Sequence, residues 1–164
     1  MGYTTEFKGV FKFNHPPSEY MIKYINSFSK SRRMKRDVEL IKSNDPDWEK
    51  YSFKGNLGIE GEYYIKDNEY FFDNKDPSII NFNIPPKTQP GLWCQWIINE
   101  NGDLCWDGVE KFYNYVEWLR YLIDNFFVKE NLILNGKVEF QGEYDDDKGT
   151  IEIEDNKIKL IRYY

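Results

Sequence analysis

Residues 90–127, PGLWCQWIINENGDLCWDGVEKFYNYVEWLRYLIDNFF, decide the fold. They carry four of the five tryptophans and both cysteines, so much of the apolar bulk of the chain sits here. Residues 92–98 and 103–106 read as two strands. Asn99, Glu100, Asn101 and Gly102 between them are turn chemistry, because Asn and Gly accept positive φ at little cost. Side chains alternate along a strand. If the loop has an even length, Trp93, Gln95, Ile97, Leu104 and Trp106 share one face, and Leu92, Cys94, Trp96, Ile98 and Cys105 share the other. Both faces are then largely apolar. Such a hairpin is either buried on both sides or lends one side to a ligand.

A helix is expected directly after the hairpin. Asp107 fits its N-cap and Glu110 its third position, the capping-box spacing. Val109, Phe112, Val116, Leu119, Ile123 and Phe126 recur at steps of three or four and make a buried stripe, widened by Tyr115, Trp118 and Leu122. Lys111, Asn114, Glu117, Arg120 and Asp124 fall mostly on the other side.

Working outward, residues 3–13 alternate as a strand, with Tyr3, Thr5, Phe7, Gly9, Phe11 and Phe13 on one face. Pro16 and Pro17 break it. Ser18 can cap a helix over 19–29 whose apolar face is Met21, Ile22, Ile25 and Phe28. Residues 38–58 are ambiguous, with a turn at Asp45, Pro46 and Asp47. Residues 59–65 read as a strand that pairs with 70–72, and 81–91 as a proline-bearing loop long enough to cover or line something. Residues 132–134, 137–144, 150–154 and 157–162 read as strands, with turns at Asn135-Gly136, 145–149 and Asp155-Asn156. A local pattern recurs at Phe7-x-Gly9-x-Phe11, Ile59-x-Gly61-x-Tyr63 and Phe140-x-Gly142-x-Tyr144. Each glycine leaves a gap where a helix or a ring can approach the sheet. The expected class is α+β: a twisted, mainly antiparallel sheet with two helices packed on one face.

The chain has 164 residues, enough for one domain with a real core, and residues 1–164 are read as that domain. Aromatics make up 18% of it, which favours a sheet-rich interior. The formal charge of −6 argues against broad non-specific nucleic-acid binding. There is no signal-peptide pattern, no apolar run long enough to span a bilayer and no lipidation motif, so a cytoplasmic protein without a membrane partner is expected. Cys94 and Cys105 can approach across the hairpin, and thiols are expected in that compartment.

The one basic cluster is Lys30-Ser31-Arg32-Arg33-Met34-Lys35-Arg36-Asp37. Arginine forks match phosphate and carboxylate bidentately. The competing reading is that cations favour a helix C-terminus and are otherwise solvated. Trp93, Gln95, Trp96 and Trp106 form the second group: a platform for a base or sugar, or plain core packing. Gln95 is informative because a buried amide needs partners. Enzyme signals are thin. His15 is the only histidine, which excludes histidine-rich metal sites, and beside two prolines it reads as a loop residue. No phosphate-binding loop, dinucleotide fingerprint or nucleophile elbow occurs. Glu60, Glu62, Glu139 and Glu143 look solvent-facing, and Asp145, Asp146 and Asp147 read as a solvated turn rather than a weak cation site.

GYTTEF at 2–7, SRRMKRD at 31–37, QPGLWCQW at 89–96, WDGVEKFYNYVEWL at 106–119 and LNGKVEFQGE at 134–143 resemble a family of uncharacterised phage and bacterial proteins. The resemblance covers most of the chain. It implies no activity, fold or catalytic residue; phage carriage implies a host-directed inhibitor or a scavenger of a signalling nucleotide.

These observations lead to a small binding protein for an anionic phosphorylated ligand such as a nucleotide. Arg32, Arg33 and Arg36 would hold phosphate, and Trp93, Trp96 or Trp106, with Gln95, would stack and orient a base. No cofactor or metal is expected, and catalytic residues and oligomeric state stay unassigned. Two other classes stand beside it. One is a protein-interaction module, an inhibitor or immunity protein, that binds a host protein through acidic surface and exposed tyrosines. The other is a metal-dependent hydrolase built on carboxylates.

Overall fold

A computed structural model describes residues 2–66 and 76–163. The strand expected at 70–72 lies outside them. The protein is α+β, with an open six-stranded antiparallel sheet, a separate two-stranded sheet and three α-helices among the described residues. Its contacts divide the chain into two compact units. One is Met1–Asn26 with Gln95–Tyr164; the other is Ser27–Cys94.

The first unit holds the larger sheet. Its strands are β1 (Glu6–Phe13), β4 (Trp96–Ile98), β5 (Leu104–Trp106), β6 (Leu134–Gln141), β7 (Lys148–Glu154) and β8 (Lys157–Arg162), in the spatial order β4-β5-β1-β6-β7-β8. β1 alternates as its sequence dictates, burying Phe7 and Phe11. Phe7 lies opposite Phe140, and Phe11 opposite both Gly136 and Leu104. Helix α1 (Glu19–Phe28) starts as expected, with the Ser18 hydroxyl accepting from the Met21 N–H at 3.1 Å. Met21, Tyr24 and Ile25 are buried. Asn26 then closes the β4 edge: its amide donates to the Ile98 carbonyl at 3.0 Å and accepts from the Ile98 N–H at 2.8 Å. That is the pairing a further strand would make.

The expected register of the central hairpin shifts by one residue. Trp96 faces Trp106, Ile97 faces Cys105 and Ile98 faces Leu104, so Trp96, Ile98, Leu104 and Trp106 share a face. Residues 99–103 close an odd-length loop, with the Asn99 N–H donating to the Asp103 carbonyl. An odd loop moves every side chain of one strand to the other face. Both cysteines are thiols.

The helix after the hairpin is shorter than expected. α3 spans Tyr115–Asn125, not the whole stretch from residue 109. The Asp107 carboxylate accepts from the Val109 N–H at 2.8 Å, a local turn rather than a helix cap. The Val109 carbonyl accepts from the Trp106 indole at 3.1 Å and the Glu110 carbonyl from the Gln95 amide at 3.2 Å. In a helix those carbonyls would accept from residues 113 and 114. Lys111 and Asn114 also sit at positive φ, 63° and 57°. Val109 is therefore exposed, while Phe112, Trp118, Leu119, Leu122, Ile123 and Phe126 are buried. Tyr115 opens the helix and packs its ring on Phe7 and Phe140 of the sheet, with centroids 4.9 and 5.8 Å away.

Asn135-Gly136 is no turn; both residues lie inside β6. The hairpin between β7 and β8 turns at Asp155-Asn156 as expected, with φ of 49° and 67°, the signature of a primed two-residue turn. Gly9 does not make room for a ring. A Cβ there would lie 2.8 Å from the Lys137 carbonyl oxygen, so the space is taken by the neighbouring strand's backbone.

The second unit contains α2 (Val38–Asn44), β2 (Lys35–Arg36) and β3 (Ile79–Asn81), with β2 and β3 paired antiparallel. Asp37 caps α2, its carboxylate accepting from the Glu39 and Leu40 N–H groups at 3.0 and 3.2 Å. Ile41, Leu57 and Tyr64 are its core, with Val38, Trp48 and Tyr51 against them. Asp45 ends the helix and accepts from the Tyr64 hydroxyl at 2.6 Å. The strand expected at 59–65 is instead a 3₁₀ turn, Ile59–Gly61, followed by irregular chain. Glu60 sits at a φ of 57°, and the Glu62 carboxylate bends back to accept from the Ile59 N–H at 2.7 Å. Neither is compatible with extended backbone.

Candidate functional site

The arginine segment lies wholly in the second unit, where it meets chain with little secondary structure of its own. Carbonyls in such chain need donors. Arg33 is 2% exposed; its Nη2 donates to the Glu62 carbonyl at 2.7 Å and the Tyr64 carbonyl at 2.8 Å, and its guanidinium lies 4.2 Å from the Phe28 ring centroid. Ser31 donates to the Ile65 carbonyl at 2.8 Å. Arg36 is 3% exposed; it pairs with Asp76 at 2.8 Å, donates to the Ser78 hydroxyl at 2.9 Å and faces the Tyr64 ring. Burial pushes the Asp76 carboxyl up, but two bonds from Ser78 and the Arg36 guanidinium more than offset it and hold Asp76 below its ordinary range. Arg32 alone is partly exposed. It donates to the Phe82 carbonyl at 3.0 Å and to Asn83 at 3.2 Å, stacked over Phe82. Arg33 and Arg36 both engage Tyr64, one through its carbonyl and the other through its ring, while Arg32 engages Phe82 and Asn83.

The tryptophan group divides as well. Trp93 lies in the second unit and is half-buried. In the first unit Trp96 is fully buried. Its indole donates to the Tyr115 carbonyl at 2.9 Å and its ring meets Phe7, Phe11 and Phe112 edge-on. Gln95 finds the partners its burial demands: its amide donates to the Glu110 carbonyl, and its oxygen accepts from the Trp106 indole at 3.4 Å. Trp106 is half-buried and packs on Phe7. Gln95, Trp96 and Trp106 thus meet, in the arrangement that shapes the loop before α3.

A third constellation emerges where β6 ends and β7 begins. The Tyr3 hydroxyl donates to the Asp147 carboxylate at 2.6 Å and accepts from the Tyr144 N–H at 3.2 Å. The other carboxylate oxygen of Asp147 accepts from Arg162 at 2.6 Å. The Tyr113 hydroxyl accepts from the Tyr3 N–H at 3.1 Å, and Glu143 accepts from the Thr4 N–H at 2.7 Å. The Tyr3 and Tyr144 rings lie 5.3 Å apart. Tyr144 is 68% exposed and Tyr113 49%. Desolvation, then the bond to Asp147, raise the Tyr3 hydroxyl above its ordinary range; the same bond, with Arg162 behind it, holds Asp147 below the usual carboxylate range. At neutral pH the phenol keeps its proton and the carboxylate its charge, so the network has one fixed polarity. Glu143, Asp145 and Asp146 stand exposed around it.

The sequence offered one sign of this site. A Cβ on Gly142 would overlap the Tyr3 hydroxyl and the Asp147 carboxylate. The Phe140-x-Gly142-x-Tyr144 pattern therefore marks a real gap, filled by a tyrosine from the other end of the chain. Linking residue 3 to residue 147 requires the strand order, which no local pattern carries.

Among the described residues no three histidine, cysteine or acidic side chains come together in a way that could hold a metal ion, and no helix is long and apolar enough to cross a membrane. Comparison with protein-family models, with curated proteins and with solved structures finds no match.

Proposed function

We propose that the protein is a protein-binding module whose contact surface is the tyrosine-lined end of the larger sheet. The observation that carries this reading is the Tyr3–Asp147–Arg162 network, which fixes Tyr3 and the Tyr144 backbone and leaves the Tyr113 and Tyr144 rings exposed beside Glu143, Asp145 and Asp146. Tyrosine supplies large, rigid, amphipathic contact area at low entropic cost, and it is enriched where proteins meet. Fixing its surroundings beforehand lowers the cost of binding. The acidic rim selects a partner with a basic surface. In this reading α1 and α3 cover one face of the sheet and leave its end open. A cytoplasmic, phage-carried protein of this kind would act as an inhibitor of a host system.

The phosphate-ligand reading has less support. Arg33 and Arg36 are buried and already bonded to protein atoms, so a phosphate would have to displace those bonds. No observation favours the hydrolase reading.

The test pairs two measurements. Host proteins are captured on the wild type, on Tyr113→Ala/Tyr144→Ala, and on Tyr20→Ala as an exposed tyrosine elsewhere. A protein held by the wild type and by Tyr20→Ala should be lost from the double variant, since interface tyrosines each carry about 2 kcal/mol or more when they are hot spots. Its retention by the double variant would overturn the reading. In parallel, nucleotides are screened for a rise in melting temperature. A rise seen in the wild type and abolished in Arg32→Ala would restore the phosphate ligand and remove the interaction surface from first place.

A further inference from the structure

The loop between β4 and β5 carries an asparagine followed by glycine, Asn101-Gly102, and the chain has one other such pair, Asn135-Gly136. An asparagine before glycine can react with its own main chain. The backbone nitrogen of the next residue is the nucleophile and the carboxamide carbon is the target. Glycine leaves that nitrogen unshielded, because it has no Cβ. The two pairs sit in opposite surroundings.

Asn101 is exposed in the loop, and its carboxamide has no hydrogen-bond partner among the described residues. Gly102 has a φ of 80°, and a Cβ built on it would meet only the Pro17 ring, at 3.8 Å. The Gly102 N–H donates to the Asn99 carbonyl at 3.0 Å, a bond internal to the loop that can open while the sheet stays closed. Asn135 and Gly136 lie instead within β6, between β1 and β7. The Asn135 carboxamide oxygen accepts from the Asp155 N–H at 2.9 Å. Gly136 lies opposite Phe11 on one side and Ile153 on the other, and a Cβ there would sit 3.0 Å from the Val10 carbonyl oxygen. Attack at this pair requires the middle of the sheet to part.

We propose that Asn101 is a site of spontaneous main-chain modification in the folded protein, by cyclisation onto Gly102, and that the sheet protects Asn135 from the same reaction. In the first step the Gly102 nitrogen gives up its proton and bonds to Asn101 Cγ. The bond from Cγ to the carboxamide nitrogen breaks, and ammonia leaves with that proton. Water then opens the resulting succinimide. Breaking the new bond to Cγ gives aspartate; breaking the original peptide bond gives isoaspartate, whose main chain runs through Cβ and Cγ. Either product sets a new carboxylate between Glu100 and Asp103. The isoaspartate also lengthens a loop that Asn99 holds closely. The Asn99 carboxamide oxygen accepts from the Asn101 and Asp103 N–H groups at 2.9 and 3.0 Å, and its N–H donates to the Asp103 carbonyl at 2.8 Å. The product therefore strains this clamp and, beside it, the Lys12–Asp103 ion pair at 3.2 Å.

The test follows the full chain over days at neutral and mildly alkaline pH. Samples are digested under mildly acidic conditions and mapped by mass spectrometry, with electron-transfer fragmentation to tell aspartate from isoaspartate. The peptide bearing Asn101 should gain the mass of an amide turned acid, and faster at alkaline pH, since the attacking nitrogen must lose a proton. It should convert at least about tenfold faster than the peptide bearing Asn135, because β6 has to open first. In urea the two should convert at similar rates. Equal rates at the two positions in the folded protein overturn the inference. So does an Asn101 that stays an amide in the folded protein while it converts in urea, for the loop would then shield it. Asn101→Gln, whose longer side chain closes a ring far more slowly, should stay unmodified with its melting transition kept. An undiminished mass gain in that variant would place the reaction elsewhere and overturn the assignment.

Discussion

Replacing Arg33 by alanine separates an arginine that builds the protein from one that serves a ligand. In the structure its Nη2 holds the Glu62 and Tyr64 carbonyls at 2.7 and 2.8 Å, and it is 2% exposed. The Glu62 carbonyl keeps a second donor, the Gln89 amide at 2.6 Å, so it survives the loss. The Tyr64 carbonyl loses its Arg33 bond, at a cost of about 1–3 kcal/mol for a buried group left unsatisfied. The guanidinium also lies over Phe28, and removing it and its stem leaves a cavity. The unsatisfied carbonyl and the cavity together place Arg33→Ala at a loss of about 2–4 kcal/mol. Lysine at 33 keeps the charge and loses the fork, so it should recover only part of the loss. Arg32→Ala is the control. Its guanidinium is partly exposed, and its removal should cost about 1 kcal/mol or less. Urea melts of the three variants supply the measurement. A loss for Arg33→Ala below about 1 kcal/mol would refute the reasoning and return this arginine to the pool of ligand-binding groups.

Three further outcomes follow from the packing and the charges. Leu119→Ala should cost about 2–5 kcal/mol in denaturant melts, because Leu119 is fully buried on α3; a loss under about half a kcal/mol would show the helix stripe to be wrongly phased. Gly9→Ala should cost about 1–3 kcal/mol, since a Cβ at a φ of 111° would press on the Lys137 carbonyl; an alanine variant as stable as the wild type would mean that β1 and β6 can part. Asp147 is held below the ordinary carboxylate range, so its contribution is present above that range and is lost as pH falls through the folded value. Asp147→Asn should therefore flatten the acid side of the stability profile, and identical acid slopes in variant and wild type would remove the Tyr3–Asp147–Arg162 network from the account.

Much of the larger sheet was legible because its strands obey period two and their turns carry turn residues. β1, β7 and β8 follow from alternation, and Asp155-Asn156 from its backbone demands. The buried stripe of α3 was legible too, but the start of that helix was not. Its periodicity runs on through Val109, yet the Val109 and Glu110 carbonyls accept from side chains of the preceding hairpin. A propensity pattern is local, and those donors come from residues that only the folded hairpin brings near. The register of β4 and β5 failed by a single residue for a similar reason. The pattern of both strands is apolar on both faces, so neither face was marked as the inner one.

The arginine segment shows why density of charge is a poor guide to a ligand. In a regular helix or strand the backbone satisfies itself, and a cluster of arginines has nothing inside the protein to hold. The second unit is different, because residues 62–66 are neither helix nor strand and their carbonyls turn inward. Arg33 takes two of them, Ser31 the next, and Arg36 reaches the Lys66 carbonyl at 3.4 Å while pairing with Asp76. The sequence displays the donors in one conspicuous run. It hides the acceptors, since a backbone carbonyl leaves no mark in the amino-acid code. Four basic residues in seven therefore read as a binding motif, whereas the structure gives Arg33 and Arg36 acceptors within the protein's own chain. The tyrosine site inverts this case: its parts, Tyr3, Tyr113, Tyr144 and Asp147, are scattered and unremarkable in sequence, and only the order of the strands makes them neighbours.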